Sequence, residues 1–193
     1  RLAAEGFQFP QDEGGDAIQN VIVSLDGTYF SLKSNTVYQL SLSDDDTTGT
    51  NLVYRKDIGI PTYRAAASTT QGIVFLNTAN PTKPEMTILQ RMPVGDVATP
   101  ITMFKHFKFS DYVFDDCAMS TFDRWILVQC RTSNSSVNNR ILLCNVESKT
   151  VDVIKYSGRI AAKDGDDLYI GDSIQKTVYK IFSGFDDTGL SIE

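Results

Sequence analysis

An all-β, propeller-like array of about four antiparallel blades is predicted by three features of this chain. The first is a repeat: SLDGTYFSLKSNTVYQLSL, TTQGIVFLNTANPTKPEMTILQRM, FDRWILVQCRTSNSSVNNRILLCNV and KDGDDLYIGDSIQKTVYKIF each set apolar strand patterns beside a tight-turn signal. Their apolar centres Tyr38, Ile88, Leu142 and Tyr179 return roughly every 40 to 50 residues, the length of one propeller blade. The second is that WILV and ILL, in the third group, are continuous apolar runs rather than a one-face alternation, which demands cover on both faces of a sheet. Blade stacking supplies that cover. The third is the absence of any stretch with three-to-four residue apolar spacing long enough for a helix. A β-sandwich would alternate more strictly and lack the repeat.

Taken in order, IQNVIVS leads to Asp26-Gly27, a pair suited to a two-residue type I′ hairpin turn, and then to TYFSLK. Ser34-Asn35 brings in TVYQLSLS, and DDDTTGT forms a polar loop before NLVYRKDI. The second group offers RAAAST, GIVFLN, EMTILQRM and a stretch near VATPITMF, with Pro81 and Pro84 forbidding ladder pairing between the inner strands. The third offers CAMSTF, RWILVQC, RILLCNV and TVDVIKY around the loop SNSSVNN. The fourth has GRIAAK, DDLYIGD and KTVYKIF. Residues 1–17 form a lead-in loop or linker, 18–185 the blades, and 186–193 an exit segment toward a following module. The start at Arg1 and the short stretch after Phe182, too brief for another strand and a closing element, point to a piece of a larger propeller.

The net charge is −6, and the acids fall in short clusters expected in loops: Asp44 to Asp46, Asp115 and Asp116, Asp164 to Asp167, Asp186 and Asp187. A nucleic-acid binder needs a dense Lys/Arg face to displace counterions, so no nucleic acid is expected as the main ligand. No run is apolar enough for a helical membrane span, and no membrane partner is expected. Cys117, Cys130 and Cys144 lie in strand patterns without metal-ligand spacing and are expected as buried thiols.

No nucleophile elbow, phosphate loop, HExxH or GxGxxG is present. His106, in MFKHFKF, is the one histidine and lacks a sequence-adjacent acid to orient it as a base, so it is expected in an inter-blade connection or outer strand. Glycosidase chemistry needs paired carboxylates, yet Glu5 and Glu13 lie in the lead-in, Glu85 and Glu147 at strand ends, and Glu193 at the terminus. SLDGTYF misses the sialidase pattern S-x-D-x-G-x-T-W by one residue between Asp and Gly, the spacing that fixes the turn. Asp164 to Asp167 lack the later glycine and distal Glu of a calcium loop and predict a solvated hairpin turn. No catalytic, cofactor or metal residues are assigned, and no cofactor is expected.

The segment KTVYKIFSGFDDTGLSIE, Lys176 to Glu193, resembles the end of the propeller domain in structural proteins of tailed-phage virions, notably neck and tail accessory or hub components. Val178, Tyr179, Ile181, Phe182, Phe185, Asp186 and Asp187 carry the resemblance. It implies a non-enzymatic scaffold of the virion, assembled in the host cytoplasm, whose partners are protein subunits, expected as a homo-oligomeric ring. Its contact loops are expected at Asp44 to Asn51, Ser133 to Asn139 and Asp164 to Asp167. The alternative is a secreted-type carbohydrate-binding or glycoside-hydrolysing propeller, with Tyr63, Trp125 and Tyr169 as its aromatic candidates.

Overall fold

The computed structural model describes residues 16–24, 27–41, 50–90, 100–172 and 174–181. Glu5, Glu13, Asp26, Asp44 to Asp46, Phe182, Phe185, and the exit segment with Asp186, Asp187 and Glu193 lie outside the described residues. Fifteen strands of the described chain fall into four consecutive antiparallel sheets, a propeller-like array. Blade 1 is β1 (Ile18–Val23), β2 (Tyr29–Lys33), β3 (Thr36–Ser41) and β4 (Thr50–Lys56), and blade 2 is β5 (Ala66–Thr69), β6 (Gly72–Asn77), β7 (Glu85–Gln90) and β8 (Pro100–Met103). Blade 3 is β9 (Val113–Phe122), β10 (Trp125–Arg131), β11 (Arg140–Asn145) and β12 (Val151–Ile154). Blade 4 has three described strands, β13 (Gly158–Asp164), β14 (Asp167–Asp172) and β15 (Val178–Ile181). A single 3₁₀ turn, Phe109–Asp111, is the one helical element among the described residues, and none there is long and apolar enough to cross a membrane.

Local chemistry sets the connections. Val23 pairs with Tyr29, so the β1–β2 connection is longer than the expected two-residue turn; Gly27 supplies its positive φ (86°) and Ser24 N–H donates to Thr28 O at 2.8 Å. The Ser34-Asn35 connection is as expected. Both carboxylate oxygens of Asp16, in the stretch read as lead-in, accept from its amides: Oδ1 from Ser34 N–H at 2.9 Å and Oδ2 from Asn35 N–H at 2.8 Å. A Cβ on Gly59 would fall 2.1 Å from Ser34 O, so the blade 1–2 crossing can press against that turn only as glycine.

The sheets stack along the chain. The first strand of each blade neighbours the first strand of the next, β1 by β5, β5 by β9 and β9 by β13, which puts these strands at the hub of a radial arrangement. One apolar cluster runs through blades 1 to 3, from Phe30, Leu32 and Val37 through Ile73 to Leu76 and on to Ile126, Val128 and Leu142. A second joins Leu127, Ile141, Leu143 and Ile154 of blade 3 to Ala161, Leu168, Ile170 and Ile181 of blade 4. The continuous apolar run of β10 is thus divided residue by residue between two neighbours, as predicted for a sheet covered on both faces.

Two further expectations need correction. Asp115 and Asp116 lie within β9 and not in a loop, because each carboxylate is held by an arginine: Arg131 grips Asp115 twice, at 3.0 and 2.7 Å, and Arg64 bonds Asp116 at 2.5 Å. The Ser133 to Asn139 loop is not a freely variable appendage either. Asn138 is buried and donates from Nδ2 to Asp116 O at 2.8 Å, and Asn139 Oδ1 accepts from Thr132 N–H at 3.0 Å, so the loop is sewn to blade 3.

Candidate functional site

Three blades meet around a cleft of about 400 Å³ lined by the β5–β6, β9–β10 and β11–β12 turns and by Lys163 of β13. The β9–β10 turn is Asp123-Arg124, with Asp123 at φ 53°, a left-handed conformation that Asp tolerates better than most residues. Arg124 O then accepts from Val146 N–H at 3.0 Å, which clamps that turn to the next one. Asn145 Oδ1 shapes the β11–β12 turn by accepting from Glu147 N–H at 2.9 Å and Ser148 N–H at 3.0 Å. Glu147 is thereby presented beside Arg124, 3.6 Å away. Across the cleft, Thr69 Oγ1 donates to Gly72 O at 2.8 Å and accepts from Gln71 N–H at 3.3 Å, closing the β5–β6 turn.

Half-buried Trp125 packs against the blade 3–4 cluster and also lines the cleft, while Lys163 lies over the Phe122 ring at 5.7 Å. The lining offers one indole, two carboxylates (Asp123, Glu147), two cations and several hydroxyls. That set can bind a polar ligand against an aromatic surface. Both carboxylates and the indole come from blade 3, so the convergence of acids and aromatics from different blades expected of a carbohydrate-cleaving channel is not met here. Sequence reading found Trp125 but not Arg124, Glu147 or Lys163 as its companions; the FDRW turn was the available signal.

The other sequence candidates are dispersed. Tyr63 stands 62% exposed in the β4–β5 connection under the Arg64 guanidinium (5.4 Å), and Tyr169 is half-buried in β14. His106 is exposed in the connection from blade 2 to blade 3, as expected. Asp164 to Asp167 form the predicted hairpin turn, with the positive φ on Gly165 (60°) and Lys180 Nζ on Asp167 at 2.7 Å. Among the described residues no group of three or more His, Cys, Asp or Glu side chains is placed to hold a metal. Cys117, Cys130 and Cys144 are free and buried; burial pushes the Cys117 thiol up to about 12 and raises the other two as well.

No family model matches the chain, and no curated protein matches it. Among solved structures it is similar to the WD40 domain of Neurospora crassa Pan2, with 14% identity and a TM-score of 0.44 over 88% of this chain. The chain spans about half the length of that domain's chain, 51%. At this level the likeness carries no argument, and the propeller-like assignment rests on the four sheets and their stacking.

Proposed function

We propose that this chain is a non-enzymatic protein-interaction domain, a tail or neck component of a tailed-phage virion whose copies join in a ring assembled in the host cytoplasm. The observation that carries the reading is that the described stack carries a partly apolar face on blade 4 and a partly apolar patch along β1 and the start of β2. In blade 4 the row Ile160, Gly171, Val178 points away from blade 3, with Ile160 48% and Val178 69% exposed. In blade 1, Val21, Val23 and Tyr29 point away from blade 2 and are 45%, 42% and 36% exposed, while Ser31, Lys33 and Tyr38 on the same side are buried, so the free patch there is confined to β1 and the start of β2. Setting the blade 4 face of one copy on the β1 patch of the next is a heterologous contact, and such contacts close into rings where the rotation allows. The virion assignment draws on the likeness of Lys176 to Glu193 to phage propeller ends.

Sedimentation over a concentration series tests the contact. Mass should rise to a fixed multiple of the chain, and Val21→Glu or Val178→Glu should each hold the protein monomeric. A chain that stays monomeric at the highest concentrations overturns the ring. Peptide mapping of purified particles from the source phage tests the virion assignment. A carbohydrate-directed propeller is the second reading; Trp125 beside Asp123 and Glu147 in one cleft favours it, although all three come from blade 3 and do not converge from different blades. Glycan hydrolysis lost on Glu147→Gln or Asp123→Asn would replace the scaffold reading with it.

A further inference from the structure

Where blade 2 hands over to blade 3, the segment after β8 folds against the β6–β7 connection and leaves a groove of about 530 Å³. Its apolar lining is Met103, Phe104 and Phe109, all buried, with half-buried Phe107 standing edge-on to Phe109 at 4.9 Å and stacked on Tyr112 at 5.9 Å. These rings are held in place: Phe104 sits at φ 50°, and its carbonyl accepts from Phe107 N–H at 2.9 Å, so the chain reverses there and brings Phe107 back over the groove. The rim is cationic. Lys83, Lys105 and Lys108 all line it, and Lys83 and Lys108 have side chains 75% and 76% exposed.

Two of those lysines have a carboxylate partner, Glu85 for Lys83 at 2.7 Å and Asp111 for Lys108 at 2.9 Å. Lys105 has none within ion-pair distance among the described residues, although it stands close enough to join Lys83 in holding the Glu85 carboxyl below its usual range. Glu85 is the sole acid in the lining, against three lysines, on a protein whose net charge is −6. A cationic rim around aromatic rings complements one ligand chemistry: an extended chain with carboxylates spaced around an apolar side chain.

We propose that this groove docks an acidic peptide segment of a partner protein, with one aromatic or aliphatic side chain seated against Phe107 and Phe109 and flanking carboxylates on Lys105, Lys108 and Lys83. The occupant is a different one from the neighbouring copy in the ring, and the groove lies away from the blade 4 face and the β1 patch.

Fluorescence anisotropy with labelled nonamer peptides, rich in Asp and Glu around one central Phe, tests this on the full chain. The acidic peptides should bind and their Asn/Gln counterparts should not. Combined Lys105→Glu and Lys108→Glu should weaken binding about tenfold or more, and added salt should do the same in the unsubstituted chain. Those lysines are solvent-facing, so the variant should keep its circular dichroism spectrum; Phe107→Ala, read alongside, should weaken binding without removing its salt dependence. The ring-breaking Val178→Glu chain should bind the same peptides equally well, which separates this result from the fate of the ring. Equal binding of the neutral peptides, no binding by any acidic member, or preference for phosphatidylglycerol vesicles over peptides would overturn the proposal.

Discussion

Along β10 the side chains divide between two neighbours, and the two sides of blade 3 are built from different materials. Ile126, Val128 and Cys130, with Leu142 and Cys144 from β11, enter the cluster shared with blade 2, presenting only carbon and sulfur. Leu127, Ile141 and Leu143 enter the smaller cluster shared with blade 4, and beside them lies Gln129, fully buried, whose amide N and O have no hydrogen-bond partner among the described residues. Ser120, opposite Leu127 on the same side, has a hydroxyl that is also unpartnered among the described residues. A buried, unpaired polar group costs about 1–3 kcal/mol. One sheet therefore joins its earlier neighbour by close apolar packing and its later neighbour through a smaller contact that also encloses polar groups. A one-residue slip in register would exchange the two sets, so the division also fixes the pairing.

Leu142→Ala should have the largest effect, about 2–5 kcal/mol in urea unfolding, since it opens a cavity in the large cluster. Leu143→Ala, its neighbour on the other side, should cost less because Leu143 is 7% exposed and belongs to the smaller cluster. Equal losses would erase the distinction between the two sides. Gln129→Leu should stabilise the chain by up to about 1–3 kcal/mol by relieving the buried amide, and a loss of stability would reveal a partner for it.

Asp115→Asn should act more weakly and through pH. The hydrogen bonds from Arg131 hold the Asp115 carboxyl below its usual range, more than burial raises it. Its stabilisation is therefore present above the unfolded-state value and lost as pH falls through the lowered folded value. With the Asp115 side chain 61% exposed, the effect should stay below about 1 kcal/mol, visible as a flatter acid limb in melting temperature against pH. The smallest signal is expected from the thiols. With Cys117, Cys130 and Cys144 buried and their thiolate forms disfavoured, a thiol reagent at mildly alkaline pH should label none of them until denaturant opens the fold. Labelling of Cys130 in the native protein would mean that the side facing blade 2 is the looser one.

The strand plan was legible because period and punctuation are local. GIVFLN, EMTILQRM, RWILVQC and RILLCNV each fall on an observed strand to within a residue or two, and Pro81 and Pro84 fall between β6 and β7 as their chemistry requires. What was hidden depends on partners distant in sequence. Asp115 and Asp116 resemble loop acids until Arg131 and Arg64 are brought beside them, and β9 then runs through both. The alternation inside WILVQC is masked because both neighbours want apolar side chains, so only packing shows that Gln129 shares a side with Leu127. The cleft draws on three blades and was visible only at Trp125; the groove after β8 looked like a connection around a solitary histidine.

The hub strands are also joined by bonds that do not depend on side-chain packing. Met119 N–H donates to Arg64 O at 2.8 Å, Thr62 Oγ1 to Cys117 O at 2.9 Å, and Asn20 Nδ2 to Tyr63 O at 2.7 Å, so the crossing from blade 1 to blade 2 is pinned on one side to β1 and on the other to β9. Mechanically the sheets are leaves on a common rivet. A load spreading the blades apart would act on the outer strands with the longest lever arm, and the leaves would fan open at the rim before the rivet yielded. Such a body can absorb a passing strain by separating and reclosing its periphery while its strand order is preserved.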